Sequence, residues 1–329
     1  MLLLLLACTN GPETPTDTGS PLEPEPQASG LVGPADAGFG AAVALSPDGT
    51  LWIGAPHGEP AALYRATSSD DLALALEGSG RLGAALAAAA DSDALVVGAP
   101  LADSTAGEVR DGSGALLAGG GQSAGLAVAW SDGWLAAHAK GWRSAEHSQE
   151  TAARPSSLAA MVRDGVWVVG VGMAHSETML QAGETTLAAP QPHAEAGYAL
   201  AAGDVDGDGE PEWIVGAPAA SAVYIVSADA TAIEQTLTGS GRFGAALAVA
   251  DVDADGTADL LVGAPMEGNG AQGAAYLYTA GDLSSAETAW TGSREGGQLG
   301  FSVAMVPGHL AIGEPGGAGQ AGQVTLLRY

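Results

Sequence analysis

The feature that most constrains this chain is internal repetition. One pattern recurs: an apolar residue and Gly, a run of small apolar residues, a turn, then two or three apolar residues and Gly-Ala-Pro. Phe39-Gly40 leads to Gly54-Ala55-Pro56, Leu82-Gly83 to Gly98-Ala99-Pro100, and Phe243-Gly244 to Gly263-Ala264-Pro265. Tyr198-Ala199 with Gly216-Ala217-Pro218 varies the first glycine, and Leu299-Gly300 with Gly313-Glu314-Pro315 varies the alanine. Two worn copies fill the middle, one from Ala124-Gly125 to Trp134-Leu135-Ala136-Ala137, the other from about Ser156 to Val166–Gly170. The seven anchors, near 39, 82, 124, 156, 198, 243 and 299, stand about 43 residues apart on average. That period suits a unit of four short strands that buries its apolar faces only by stacking on its neighbours.

Each unit breaks into short β-like runs separated by Gly, Pro, Asp and Ser. The sixth shows the plan: a small-residue strand (Ala245–Val249), a bulkier one (Leu260–Val262), an alternating one (Ala274–Tyr278). The expected fold is all-β, a seven-bladed β-propeller of four-stranded blades, with the small strand at the crowded axis. Gly after the aromatic permits close backbone approach, and the proline of Gly-Ala-Pro ends the ladder where its missing N–H does least harm. The last unit supplies strands at 301–305, 310–312 and 324–327, and then the sequence stops. The segment near 28–33, around Leu31-Val32, is expected to be the outer strand of that last blade and to close the ring.

At these residues the sequence resembles the FG-GAP repeat of integrin alpha-chain head domains and related bacterial surface proteins. The resemblance covers about residues 30–329 and implies a seven-bladed propeller. The Gly-His…Trp-Asp signature of another propeller repeat is missing from the sequence.

Two units carry a longer insert with an aspartate triplet: Asp204-Val205-Asp206-Gly207-Asp208-Gly209-Glu210-Pro211-Glu212 and Asp251-Val252-Asp253-Ala254-Asp255-Gly256-Thr257-Ala258-Asp259. Carboxylates at positions 1, 3 and 5 converge on one hard cation when a loop curls, and Gly at position 6 permits the turn. Position 7 (Glu210, Thr257) offers a carbonyl, and position 9 (Glu212, Asp259) a further carboxylate. These are not EF-hands, because position 12 is Val215 or Val262 where a bidentate glutamate is required. They resemble the calcium-binding β-hairpin loops of FG-GAP domains, which implies two Ca²⁺ sites. Turn formation by ordinary Asp residues is the alternative.

Ten Lys+Arg against 38 Asp+Glu give a net charge of −28. Such a chain repels phosphate backbones and anionic lipid heads, which excludes nucleic-acid partners and polybasic membrane adhesion. No apolar run is long enough to span a bilayer. The only cysteine follows Leu5-Leu6-Ala7, and Leu5-Leu6-Ala7-Cys8 resembles the bacterial lipobox. That implies a signal peptide at 1–7, cleavage before Cys8 and lipid attachment there. The five leucines are fewer than a signal peptide carries and lack a basic start, so the true start is expected upstream. A chance leucine-rich start with a free thiol is the other reading. Residues 8–27 read as the lipidated Cys and a Pro/acidic tether too polar to fold, with a reach of about 60 Å. The propeller occupies 28–329. Thr9 after the lipidated Cys8 leans towards the outer membrane.

None of the six histidines forms a metal or protease motif, and no nucleophile-elbow or phosphate-loop motif occurs. The most unusual stretch is His138–Arg163. It holds the only lysine, Lys140, with Arg143, Arg154 and Arg163, beside Trp142, Glu146, His147 and Glu150. A basic and aromatic segment of this kind can receive an anionic sugar or peptide through His138, Lys140, Trp142, Arg143 and His147. The competing expectation is a long connecting loop whose charges pair with acidic neighbours. Trp52, Trp167 and Trp213 fall on second strands and are expected in inter-blade packing. The leading functional expectation is a monomeric, surface-displayed, calcium-stabilised binding or adhesion module, anchored by a lipid and receiving a protein or polysaccharide. The alternatives are an extracytoplasmic enzyme acting on polysaccharide or phosphoester, and a structural envelope spacer. A fold alone does not choose among them.

Overall fold

The computed structural model describes residues 30–328 other than 69–70, 90–91, 103–105, 120–123, 132, 152, 164–165, 280 and 318. The leader, Cys8 and the tether lie outside the described residues. The described chain forms seven four-stranded antiparallel sheets, the blades of a β-propeller. The first strands run Ala42–Leu45, Ala85–Ala88, Val128–Ser131, Ser157–Arg163, Ala199–Gly203, Ala246–Ala250 and Ser302–Val306. Together they line the axis, where Ala44, Ala87, Ala129, Ala160, Ala201, Ala248 and Ala304 contribute small side chains. Seven strands can crowd around one axis only if their side chains are short.

The repeat motif has a direct steric meaning. In blade six the N–H of Gly244 donates to the Gly263 carbonyl, closing the inner hairpin. On the other side, a Cβ at Gly263 would lie 2.0 Å from the Gly300 carbonyl oxygen of blade seven. The same approach recurs at Gly54 against Gly83, Gly98 against Gly125, and Gly216 against Gly244. The first glycine of one repeat therefore packs on the Gly-Ala-Pro glycine of the preceding one. Replacing Gly263 with Ala is expected to cost about 3 kcal/mol, because backbone must move on both sides. Chemical denaturation of the variant checks this, and a change below 0.5 kcal/mol would contradict the packing account.

The aromatic before the glycine is a plug between blades. Phe243 is buried among Ile214 and Val223 of blade five and Val262 of its own blade, and meets the Tyr276 ring edge-on at 5.7 Å. Phe39 does the same between the last blade and the first, packed with Ala311, Val324 and Ile53 and edge-on to Tyr64 at 5.3 Å. The strands following the plug end at the alanine of Gly-Ala-Pro, as at Leu51–Ala55 and Asp259–Ala264.

The ring is closed by the amino-terminal strand. Leu31–Ala35 pairs antiparallel with Ala321–Arg328, in register Leu31↔Val324 and Val32↔Gln323, as the outermost strand of the last blade. The worn copies are complete blades as well: blade three has strands at Val128–Ser131, Gly133–His138, Gly141–Arg143 and Ser148–Glu150. The expectation of a long loop across 138–163 is thereby corrected. Most of that stretch is strand, because the tight turns at 139–140 and 144–147 let Trp142 and Arg143 pair with Gln149 and Ser148. Trp52 and Trp213 stand on second strands as expected and are buried. Trp167 lies on the second strand of blade four.

Candidate metal centres in two acidic loops

Both acidic inserts are the connections from the first to the second strand, in blades five and six. The first spans the gap between Ala199–Gly203 and Glu212–Ala217, the second that between Ala246–Ala250 and Asp259–Ala264. The aspartate at position 1 organises each curl. Asp204 accepts the N–H groups of Gly207 at 2.8 Å and Gly209 at 2.9 Å. Asp251 accepts those of Asp255 at 3.1 Å and Gly256 at 3.0 Å. Position 5 caps position 7: Asp208 accepts from Glu210 and Asp255 from Thr257. Gly209 and Gly256 take φ of +94° and +97°, with open space where a Cβ would stand.

Two residues lock the loop to the blade. The valine at position 2 points inward, Val205 into the core between blades five and six and Val252 into that between six and seven. Its N–H donates to the position-9 carboxylate, Val205 to Glu212 at 3.1 Å and Val252 to Asp259 at 2.7 Å. Both position-9 residues are buried first residues of their strands. Sequence reasoning named Glu212 and Asp259 but missed Val205 and Val252. The signal was present: in both loops the only bulky apolar residue falls between the first two acids.

Carboxylate oxygens of Asp204, Asp206 and Glu212 lie within 4.8 Å of one another, and so do those of Asp251, Asp253 and Asp255. Oxygens that share one Ca²⁺ at 2.3–2.6 Å lie at most about 5 Å apart, and both groups fall within that limit. The decisive feature is Asp259. It is fully buried, one oxygen accepts from Val252, and its Oδ1 has no hydrogen-bond partner. A buried, unpartnered carboxylate oxygen is costly unless a cation faces it. Burial pushes Glu212 and Asp259 each up to about 7, with the neighbouring aspartates adding to the rise. Burial likewise raises Asp253, and Asp255, Asp251 and Glu287 add to it. Glu234, on Ile233–Thr238, is raised by burial first and then by Asp206, Asp208 and Asp229. Glu234, on the outer strand of blade five, and Glu287, just before the outer strand Thr288–Thr291 of blade six, thus lie near the loops, a proximity the sequence spacing does not reveal. The donor set is all oxygen, hard and anionic, and it fits Ca²⁺.

The two loops touch. The Ala258 N–H donates to the Asp204 carbonyl at 3.1 Å, and the Gly308 N–H of blade seven to the Val252 carbonyl at 2.9 Å. A cation in either loop would therefore brace three consecutive blades.

The structure divides the basic and aromatic set of blade three. Trp142 and His147 line one cleft with Trp134 and Gln149. Arg143, the next residue on the strand, faces the other way and donates to the Gly119 carbonyl of blade two at 3.1 Å. His138 and Lys140 are not among the residues lining that cleft; the His138 ring accepts the Lys140 backbone N–H at 3.3 Å. Burial lowers the His138 pKa, with Arg143 adding to the fall.

The described residues define a class, a seven-bladed propeller with acidic loops on two adjacent blades. The profile of the FG-GAP repeat matches residues 196–231 and 243–278. Blades five and six match the FG-GAP repeat, and the described chain as a whole is a seven-bladed β-propeller consistent with a propeller of such repeats. No curated protein matches the sequence. Among solved structures, the chain is similar to a catalytically inactive virginiamycin B lyase from Staphylococcus aureus with quinupristin, at 10% identity and TM-score 0.60, over 90% of this chain and 98% of that one. It is also similar to a chain of the mitotic checkpoint complex, at 13% identity and TM-score 0.63, over 100% of this chain and 98% of that one. At these identities the likeness concerns the fold alone.

Proposed function

We propose that this propeller is a calcium-stabilised binding or adhesion module, held at the cell envelope by a lipid on Cys8 and displayed on the tether that follows it. The observation that carries the calcium reading is the buried Asp259 Oδ1 without a partner, beside three converging aspartates. In this reading Asp204, Asp206, Asp208 and Glu212 with the Glu210 carbonyl hold one ion. Asp251, Asp253, Asp255 and Asp259 with the Thr257 carbonyl hold the other. Calcium supplies charge neutralisation and cross-linking, and the protein supplies a rigid ring with broad end faces. Two ions would change the net charge only from −28 to about −24, so the body would stay strongly acidic and resist self-association. A monomer anchored in the outer membrane, with a protein or polysaccharide partner, completes the proposal.

The test uses a soluble Cys8→Ser form immobilised and exposed to envelope extract and polysaccharides, in calcium and in chelator. A specific partner retained in calcium and lost in chelator is the expected outcome. No capture in either buffer would end the adhesion reading.

A further inference from the structure

Two links between blades have the same sequence. Gly78-Ser79-Gly80-Arg81 leads from blade one into blade two, and Gly239-Ser240-Gly241-Arg242 from blade five into blade six. Their turns match. The Ala84 N–H donates to the Arg81 carbonyl as the Ala245 N–H does to that of Arg242, and the Leu101 N–H donates to Gly80 as the Met266 N–H does to Gly241. Their surroundings differ. Arg242 pairs with Glu195 at 2.6 Å and lies over the Tyr198 ring, 5.5 Å from its centroid. Ser240 donates its hydroxyl to Glu267. At the first link Gly38 and Ala41 stand in the places of Glu195 and Tyr198, joined by the same turn bond. Ala102 follows Leu101 where Glu267 follows Met266. Among the described residues, the side chains of Arg81 and Ser79 have no hydrogen bond or ion pair, and both residues are exposed.

Where those acids are missing, a cavity of about 600 Å³ opens between blades one and two, within the usual range for small-ligand sites. Ser79 and Arg81 line it, with Pro56, Pro60 and Leu101 as an apolar wall. Leu101 is 43% exposed, unusual for a leucine in this fold. The cavity lies between the second-to-third strand turn of blade one and the link into blade two. Antiparallel alternation puts it on the end of the ring opposite the acidic loops, which join first to second strands. A guanidinium and a hydroxyl that carboxylates satisfy elsewhere in this chain, set beside an apolar wall, match a carboxylate with an apolar group next to it. A polyanion does not fit. Glu59 stands on the rim and the chain carries a net charge of −28, so each further negative charge is repelled.

We infer that the cavity between blades one and two binds the carboxyl terminus of a peptide that ends in an apolar residue. Arg81 and Ser79 hold the carboxylate, and the last side chain packs on Leu101, Pro56 and Pro60. The inference rests on the binding-module reading and names the partner's chemistry. The test titrates the full chain, as Cys8→Ser in calcium, with acetyl-Ala-Ala-Leu as the free acid and as its amide, followed by NMR, which reads weak affinities. A hexauronate runs beside them. The free acid is expected to bind about tenfold or more tighter than the amide. Arg81→Gln should weaken the acid about tenfold and Ser79→Ala about threefold. Arg242→Gln, which removes the guanidinium already paired at the other link, should leave binding unchanged. The melting temperature of Arg81→Gln in calcium should match the parent, which separates lost binding from lost fold. The inference is overturned if the free acid does not bind, if the amide binds as well, if Arg81→Gln binds as the parent does, or if the hexauronate is preferred. In any of these events, a partner still captured from envelope extract in calcium leaves the binding-module reading standing and removes only the carboxylate.

Discussion

A form of the chain that starts at Asp36 is expected to lose about 4–6 kcal/mol of stability against one that starts at Gly30. The shorter form lacks Leu31–Ala35, the strand that completes the last blade. Leu31 is 3% exposed and packs with Phe39 and Val324. Its burial is worth about 2 kcal/mol. The ladder to Ala321–Arg328 adds hydrogen bonds of about 1 kcal/mol each, and their loss leaves an open sheet edge beside the first blade. A loss of this size approaches the whole stability of an ordinary domain. Urea denaturation of the two forms measures the difference. A form starting at Asp36 with unchanged stability would mean that the strand decorates the ring and does not close it.

Calcium is expected to raise the melting temperature by about 5 °C between chelator and a tenfold excess over Kd. Extracellular calcium modules have Kd of about 10⁻⁴–10⁻³ M, and tenfold excess contributes about 1.4 kcal/mol per site. Two sites give about 2.8 kcal/mol, and a domain this large shifts by about 2 °C per kcal/mol. Asp259→Asn should invert the pattern. In chelator it removes a buried charge with an unpartnered oxygen, so stability should rise or hold. In calcium it should fall below the parent. The pH response has a definite sign. Glu212 and Asp259 sit at about 7 in the folded metal-free protein, above their unfolded values near 4. The folded state holds more protons between those limits, so in chelator stability falls as pH rises from about 4 to about 7. Scanning calorimetry across that range checks both statements, and a melting temperature indifferent to calcium would sink them.

The blade count was legible because Gly-Ala-Pro recurs with its own steric reason: Gly263 must let Gly300 approach. Closure was legible from an accounting of strands: the last unit offers three, and Leu31-Val32 supplies the fourth by pairing with Val324 and Gln323. The acidic loops were legible as ligand sets because alternate acids with Gly at position 6 have few other uses. Their anchoring was not, because the inward turn of Val205 and Val252 depends on the cores between blades, which no local pattern encodes. Blade three was misjudged over 138–163 because it lacks Phe-Gly and Gly-Ala-Pro, and its two outer strands are only three residues long. The separation of Trp142 from Arg143 follows from strand alternation once those strands are known.

The most direct test of the calcium account is a calorimetric titration of the metal-free full chain with Ca²⁺. Two ions per chain are predicted, falling to one in Asp251→Asn/Asp259→Asn and to none when Asp204→Asn/Glu212→Gln is added. No binding at millimolar calcium, or two ions still bound by the fourfold variant, would contradict it.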